Sequence, residues 1–299
     1  MSKIALTRAL VSRHGAGRTD TYDAALLDVA QDHLLWLLAE LGLFDGSDLI
    51  FKGGTSLRKC RLGGAGRFST DLDFTCPSEE TVLEVCEAID SASVSGFQFS
   101  LKSTRGDGRH WELQVEHADL GRPNIPASVE FARRPLVLAS QMLPFVELPV
   151  HKAYEVRLPS VPVIAEAEAC AEKLARYRRT ALGRDVYDLA KFAGRIVDES
   201  LVRRLWVLKV WGDVVDDNRG TGPLDPTDVL MERRERDFAQ ESIGKLTQPV
   251  NLVEWEQTVR RRFAFLADLD EEEQRWAACD PRHRSEVETA QARGGFLTE

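Results

Sequence analysis

A chain of 299 residues, 43% of them apolar, can bury the core of one elaborate domain or two ordinary ones. It contains no run near the roughly 20 apolar residues of a membrane span, and Met1 to Gly17 lacks the apolar centre of a secretory leader; a cytoplasmic protein with no membrane partner is expected. A formal net charge of −9 argues against indiscriminate binding to nucleic acid, because polyanion affinity comes mainly from Lys and Arg displacing counterions.

Thr21 to Leu41 carries Leu26, Val29, Ala30, Leu34, Leu37, Leu38 and Leu41 at helical spacing with Asp23 in the first turn, which predicts a helix packed under a sheet. Leu49-Ile50-Phe51 reads as a short strand. A Gly53-Gly54 turn follows, then a turn of helix through Leu57-Arg58-Lys59. Asp71 to Thr75 is the next strand, and Ser78 caps a helix running through Val82, Leu83, Val85 and Ile89. Phe97 to Leu101 and Trp111 to Val115 alternate as strands around a Thr104-Arg105-Gly106-Asp107-Gly108 hairpin loop. Ala127 to Ala132 is a further strand with Ser128, Glu130 and Ala132 on one face. From Ala165 the pattern turns helical: Ala165 to Tyr177, Val186 to Gly194, Glu199 to Val215, and a long stretch from Leu252 to Cys279. The fold class expected is α+β, with a strand-rich unit over 1–160 and a helical unit over 161–299.

Strand alternation places Asp71 and Asp73 together on one face while Leu72 and Phe74 turn inward. Two carboxylates held that close call for a cation, and a hard divalent ion is often bound by one or two carboxylates plus water and substrate phosphates. Upstream, Lys52-Gly53-Gly54-Thr55-Ser56 offers a backbone that approaches phosphate closely. Taken alone, the aspartates equally describe an exposed strand face and the glycines an ordinary turn. Between Lys173 and Arg204, nine basic residues against four acidic ones leave a local balance of +5, suited to one phosphate-rich ligand or to a solvated, ion-paired helix face. There Lys173 lies near Arg176 and Tyr177, and Asp185 near Asp188, at spacings that share a helix face.

Four segments in order, Phe51-Lys52-Gly53-Gly54-Thr55-Ser56-Leu57, Phe68-Ser69-Thr70-Asp71-Leu72-Asp73-Phe74, Ala171-Glu172-Lys173-Leu174 and Arg184-Asp185-Val186-Tyr187-Asp188-Leu189, resemble the AbiEii/AbiGii family of nucleotidyltransferase toxins, which includes the mycobacterial MenT proteins. The resemblance spans residues 51 to 189. It implies a DNA polymerase beta-like nucleotidyltransferase core with a mixed sheet, followed by a helical C-terminal domain, in a type IV-like toxin–antitoxin system. By the same resemblance, Lys52, Gly53, Gly54, Thr55, Ser56 and Ser69 bind nucleotide, Asp71 and Asp73 hold Mg²⁺ or Mn²⁺, Lys173 meets the triphosphate and Asp188 supports the site. The implied acceptor is the 3′ end of tRNA, its phosphates held by Arg176, Arg179 and Arg184, and a cognate antitoxin is the implied protein partner. Many such enzymes carry a third carboxylate on a neighbouring strand. Glu130 is the candidate here, its other reading being a solvent-facing strand charge.

Two rival functions share these motifs: nucleotidyl transfer to a protein or small molecule, and a catalytically silent nucleotide-binding module. Ser69 equally serves a local turn. His110 and His117 read as surface or hydrogen-bonded histidines rather than metal ligands, and Trp206, Trp255 and Phe263 with their neighbours read as core. Five widely spaced cysteines, Cys60, Cys76, Cys86, Cys170 and Cys279, form neither a disulfide framework nor a zinc motif and are expected as thiols.

Overall fold

The computed structural model describes residues 5–103, 107–196, 198–239 and 243–294, so Thr104, Arg105 and Gly106 of the expected hairpin loop lie outside the described residues. The chain forms two compact units. One comprises Met1–Pro135, Ser140–Ile164 and Lys245–Pro249; the other comprises Leu136–Ala139, Ala165–Gly244 and Val250–Glu299.

The first unit is built on an eight-stranded sheet of β1 (Ile50–Lys52), β2 (Asp71–Thr75), β3 (Ser93–Val94), β4 (Phe97–Ser103), β5 (His110–His117), β6 (Ser128–Ala132), β7 (Gln141–Pro144) and β8 (Ser160–Val163). Their spatial order is β3-β4-β5-β6-β2-β1-β8-β7. The sheet is mixed: β2 runs parallel to β6 and β1 parallel to β8, the other pairs being antiparallel. Alternation sorts the faces. Phe51, Leu72, Phe74, Val129 and Phe131 are at most 3% exposed, and Phe74 sits between Phe51 and Phe131 with ring centroids 5.5 and 5.7 Å away. The opposite face carries the polar residues of the same strands.

Helices α1 (Arg8–His14), α2 (Tyr22–Glu40), α3 (Gly53–Leu57) and α4 (Glu79–Ile89) complete this unit. Ser78 caps α4, its Oγ accepting from Thr81 N at 3.1 Å, and Glu79 and Glu80 face the positive end of the helix dipole. From Ala24 to Leu35 the helix α2 is buried at every position, so its polar residues Asp28, Gln31, Asp32 and His33 are interior groups that need partners. The glycines expected as a turn instead open α3 directly from β1, and one turn of wide π-helix, Arg58–Leu62, follows.

Strands β7 and β8 have no counterpart in the sequence reading. Both contain proline, which removes a ladder donor and masks a strand pattern; Met142 stands opposite Pro162 in their pairing.

The second unit is helical: α5 (Glu166–Arg179), α6 (Gly183–Phe192), α7 (Glu199–Val215), α8 (Thr227–Leu230), α9 (Leu252–Arg262), α10 (Glu271–Ala277) and α11 (Arg284–Ala292). Within it α5 packs on α6 and α7, and α6 on α9. Trp206, Trp211 and Phe263 are at most 1% exposed and Trp255 meets Tyr187 edge-on at 4.8 Å, as a packed core requires. The stretch expected as one helical run from Leu252 to Cys279 is broken after Arg262. Asp270 restarts it with a capping box: its Oδ1 accepts from Glu273 N at 2.8 Å, and Glu273 Oε2 accepts from Asp270 N at 3.0 Å. All five cysteines are buried free thiols.

Candidate active site

Strand β1 ends at Lys52, whose register partner on β2 is Asp73. The chain then turns through Gly53 at φ +78°, a left-handed conformation that glycine adopts without a Cβ penalty. Side-chain space is also spent there. A Cβ on Gly53 would overlap the Asp73 carboxylate, and one on Gly54 would overlap Arg67 Nη2 and lie 2.9 Å from Ser69 Oγ. The two glycines are therefore the places where the Asp73 carboxylate, the Arg67 guanidinium and the Ser69 hydroxyl close onto the backbone. Gly53→Ala adds about 1–2 kcal/mol of backbone strain and pushes Asp73 aside. Any catalysis that depends on the Asp73 carboxylate is expected to fall about 100-fold, the scale of a 1 Å misplacement, with only a small change in melting temperature; initial rates beside a thermal melt check this.

Thr55 and Ser56 are buried, and their hydroxyls hold local structure: Thr55 Oγ1 donates to the Asp71 carbonyl at 2.5 Å and Ser56 Oγ to the Gly53 carbonyl at 3.0 Å. The first of these ties the turn to the strand that bears the aspartates. Gln31, from the buried helix α2, pins the approach to that strand, its Nε2 donating to the carbonyls of Ser69 at 3.3 Å and Thr70 at 3.0 Å.

Across the sheet, Asp71 stands opposite Ser128 and Asp73 opposite Glu130. Ser128 Oγ donates to Asp71 Oδ1 at 2.9 Å and has a longer contact to Glu130 Oε1 at 3.4 Å. Thr70 Oγ1 donates to the same Asp71 oxygen at 3.2 Å. Asp71, Asp73 and Glu130 thus share one polar face, Glu130 being 45% exposed, and the oxygen-only donors of the aspartate pair suit a hard divalent cation. Among the described residues no three His, Cys, Asp or Glu side chains are grouped as a metal cage.

The remaining predicted residues lie in the helical unit. Lys173 is 7% exposed, its Nζ 2.7 Å from Asp188 Oδ2 and 3.7 Å from Asp185 Oδ1. Asp185 is fully buried and accepts from Arg176 Nε at 2.9 and 3.0 Å. Arg179 Nε lies 3.3 Å from Asp213 Oδ2. Arg184 is partly exposed, with a buried Nε that makes no hydrogen bond. The local excess of positive charge is therefore drawn largely into ion pairs inside that unit.

Sequence reasoning left out Arg67, Gln31 and the bond from Ser128 to Asp71. Arg67 adjoins the Ser69-Thr70-Asp71 segment in sequence, which was a usable signal; the other two depend on tertiary neighbours alone.

A mixed sheet that presents two aspartates two residues apart, with a third carboxylate in register and a glycine turn pressed against them, offers oxygen donors and a close-approaching backbone of the kind that chemistry on phosphates requires. A family model described as nucleotidyl transferase AbiEii toxin, type IV toxin–antitoxin system, matches residues 36–283, and the chain belongs to that family. Among solved structures it is similar to MenT4, a nucleotidyltransferase toxin from Mycobacterium tuberculosis H37Rv, at 68% identity and a TM-score of 0.94 over 96% of this chain and 99% of that one. Two Helicobacter pylori structures also match. A putative nucleotidyltransferase has 16% identity and a TM-score of 0.45, covering 84% of this chain and 96% of its own. JHP933 has 14% identity and a TM-score of 0.46, covering 90% of this chain and 97% of its own. No curated protein sequence matches.

The protein is accordingly a nucleotidyltransferase toxin of a type IV toxin–antitoxin system, with a nucleotide substrate and an antitoxin partner. No helix among the described residues is long and apolar enough to cross a membrane.

Proposed function

We propose that the protein acts in the cytoplasm, transferring a nucleotide from a nucleoside triphosphate to the 3′ end of tRNA, releasing pyrophosphate and so blocking aminoacylation and translation. The observation that carries this reading is the Asp71 and Asp73 pair beside the Gly53-Gly54 turn, with Glu130 in register with Asp73. Asp71 and Asp73 hold Mg²⁺ or Mn²⁺. When bound, the ions supply charge stabilisation at the attacking and leaving oxygens.

The residues of the chain divide the remaining work. Ser128 and Thr70 orient the Asp71 carboxylate before substrate arrives. Backbone at Gly53 and Gly54 approaches the triphosphate, with Lys52 and Ser69 beside it, while Thr55 and Ser56 keep the turn in shape. Glu130 receives the proton of the attacking hydroxyl. Lys173, held by Asp188 at 2.7 Å, neutralises charge on the departing pyrophosphate. Arg176, Arg179 and Arg184 are proposed to hold RNA phosphates; for Arg176 and Arg179 the RNA must compete with Asp185 and Asp213.

Incubating the protein with Mg²⁺, each labelled nucleoside triphosphate in turn and total tRNA tests the reading, with Asp71→Ala as control. Label entering tRNA with wild type alone is the expected outcome and also identifies the nucleotide. Label on protein or a small molecule would move the acceptor, and nucleotide binding without any transfer would indicate a silent module.

A further inference from the structure

Asp71 sits at the ragged end of β2. On one side it is in register with Ser128 of β6, but on the other side β1 pairs with β2 only from Asp73 onward. Backbone groups beyond a ladder need partners from elsewhere, or the strand end frays. Two buried side chains supply them. Ahead of Asp71, Gln31 Nε2 donates to the carbonyls of Ser69 at 3.3 Å and Thr70 at 3.0 Å; behind it, Thr55 Oγ1 donates to the carbonyl of Asp71 itself at 2.5 Å.

Gln31 is an expensive way to make these bonds. It is 0% exposed in the enclosed stretch of α2. Carbonyl oxygens only accept, so the end of the side chain that meets them is its NH2 group, and Oε1 at the other end is buried with no hydrogen-bond partner among the described residues. An unmatched buried acceptor is costly, and an apolar side chain of the same length would avoid it. What the amide gives in return is its pair of donors. They hold two consecutive peptide planes, those that follow Ser69 and Thr70, which leaves Thr70 little freedom about φ and ψ and fixes the direction in which the chain enters Asp71. The held segment also carries Thr70 Oγ1, which donates to Asp71 Oδ1 at 3.2 Å.

We infer that Gln31 is a positioning residue for ion binding: together with Thr55 it clamps the backbone on both sides of Asp71, so that the carboxylate is oriented before a divalent ion arrives. This rests on the reading of Asp71 as an ion ligand. Gln31 acts through the Ser69 and Thr70 carbonyls and touches neither ion nor nucleotide. A carboxylate at a clamped strand end has less freedom to lose on binding than one at a frayed end, so the clamp is expressed as ion affinity. The effect is sharpest for an ion such as Mg²⁺, whose octahedral shell tolerates little angular play in a ligand.

The test titrates Mn²⁺ alone into the full chain, followed by loss of the free-ion EPR signal, beside the Mg²⁺ dependence of pyrophosphate release with nucleoside triphosphate and total tRNA. Gln31→Met keeps the length without a donor, Gln31→Asn keeps the amide but falls short of the carbonyls, and Thr55→Val removes the other half of the clamp. Leu35→Met is a packing control from the same buried helix, Leu35 being 0% exposed, and Asp71→Ala is the ion control. Both Gln31 variants and Thr55→Val should bind Mn²⁺ about tenfold more weakly and need about tenfold more Mg²⁺ for half-maximal rate, with kcat at saturating Mg²⁺ within about threefold of wild type. Leu35→Met should keep the wild-type ion affinity whatever its melting temperature. Wild-type Mn²⁺ affinity in both Gln31 variants would overturn the inference. A lowered melting temperature with a loss of rate that added Mg²⁺ does not restore would make Gln31 a structural residue and also overturn it. Asp71→Ala that binds Mn²⁺ as tightly as wild type would take the ion away from Asp71, overturning the reading on which the inference rests and the inference with it.

Discussion

Asp71→Ala is expected to lower nucleotidyl transfer at least about 10³-fold while leaving the protein folded. Removing one preorganised electrostatic group from a transfer site costs on the order of 10²–10³ in rate, and Asp71 is proposed to hold the ion that stabilises both reacting oxygens. Its structural work is small. It is partly exposed, and its side chain accepts from the hydroxyls of Ser128 and Thr70, groups that water can satisfy in its absence. Stability should therefore change by about 1 kcal/mol or less. Asp71→Asn should be nearly as inactive, since it keeps the shape and loses the charge. Label incorporation measured beside a thermal melt separates chemistry from folding, and an active, fully folded Asp71→Ala would remove the aspartate pair from the mechanism.

The largest effect on stability is expected from Asp28→Ala. Asp28 is 2% exposed inside the first unit, with His14 Nε2 at 2.7 Å on one oxygen and Arg58 Nε and Lys59 Nζ each at 3.1 Å on the other. Lys59 also reaches Asp32 Oδ1 at 2.6 Å, whose second oxygen accepts from Tyr154 at 2.6 Å. Taking Asp28 away leaves Arg58 buried without its carboxylate, a change that costs about 3–5 kcal/mol. The damage should reach the active face, because Arg58 also donates to the Gly66 carbonyl at 2.6 Å and lies 4.0 Å over the Phe68 ring, just ahead of Ser69 and Asp71. Urea unfolding should report the loss, with Asp28→Asn as the milder variant.

The same cluster sets an acid limit. Burial pushes the Asp28 carboxyl up, but the Arg58 and Lys59 charges and the His14 hydrogen bond more than offset it and hold it well below the usual carboxylate range. Burial acts on Asp32 in the same way and is outweighed by Lys59 and His151. A carboxyl whose folded pKa is depressed stabilises the fold above its unfolded value and ceases to as pH falls towards the folded one. Melting temperature should therefore hold through neutrality and fall below about pH 4, and Asp28→Asn should flatten that acid limb.

Much of the fold was legible because its signals are local. Asp71 to Thr75 alternates, Ser78 caps α4, and the apolar spacing of α2 and α7 matches a helix, each a property of a few neighbouring residues. The break before α10 had a signal as well, the Asp270-Glu271-Glu272-Glu273 capping box, outweighed by the apolar residues on either side. Prolines hid β7 and β8, whose identity as strands comes from pairing with each other and with β1 rather than from their own composition.

By itself the sequence determined most of the helices and strands and the placement of Asp71 and Asp73 on one face, because these follow from periods of two and 3.6 residues. Tertiary structure alone decided the partners. Ser128 reaches Asp71 across 57 positions because β6 pairs parallel to β2, and His110 meets Glu130 because β5 pairs on the other side of β6. Asp28 and Asp32, which helical spacing cannot tell from surface charges, became the buried counter-ions of Arg58 and Lys59 only when α2 was enclosed on all sides. A contact between residues distant in sequence is chosen by the packing of whole elements, and no local window contains that choice.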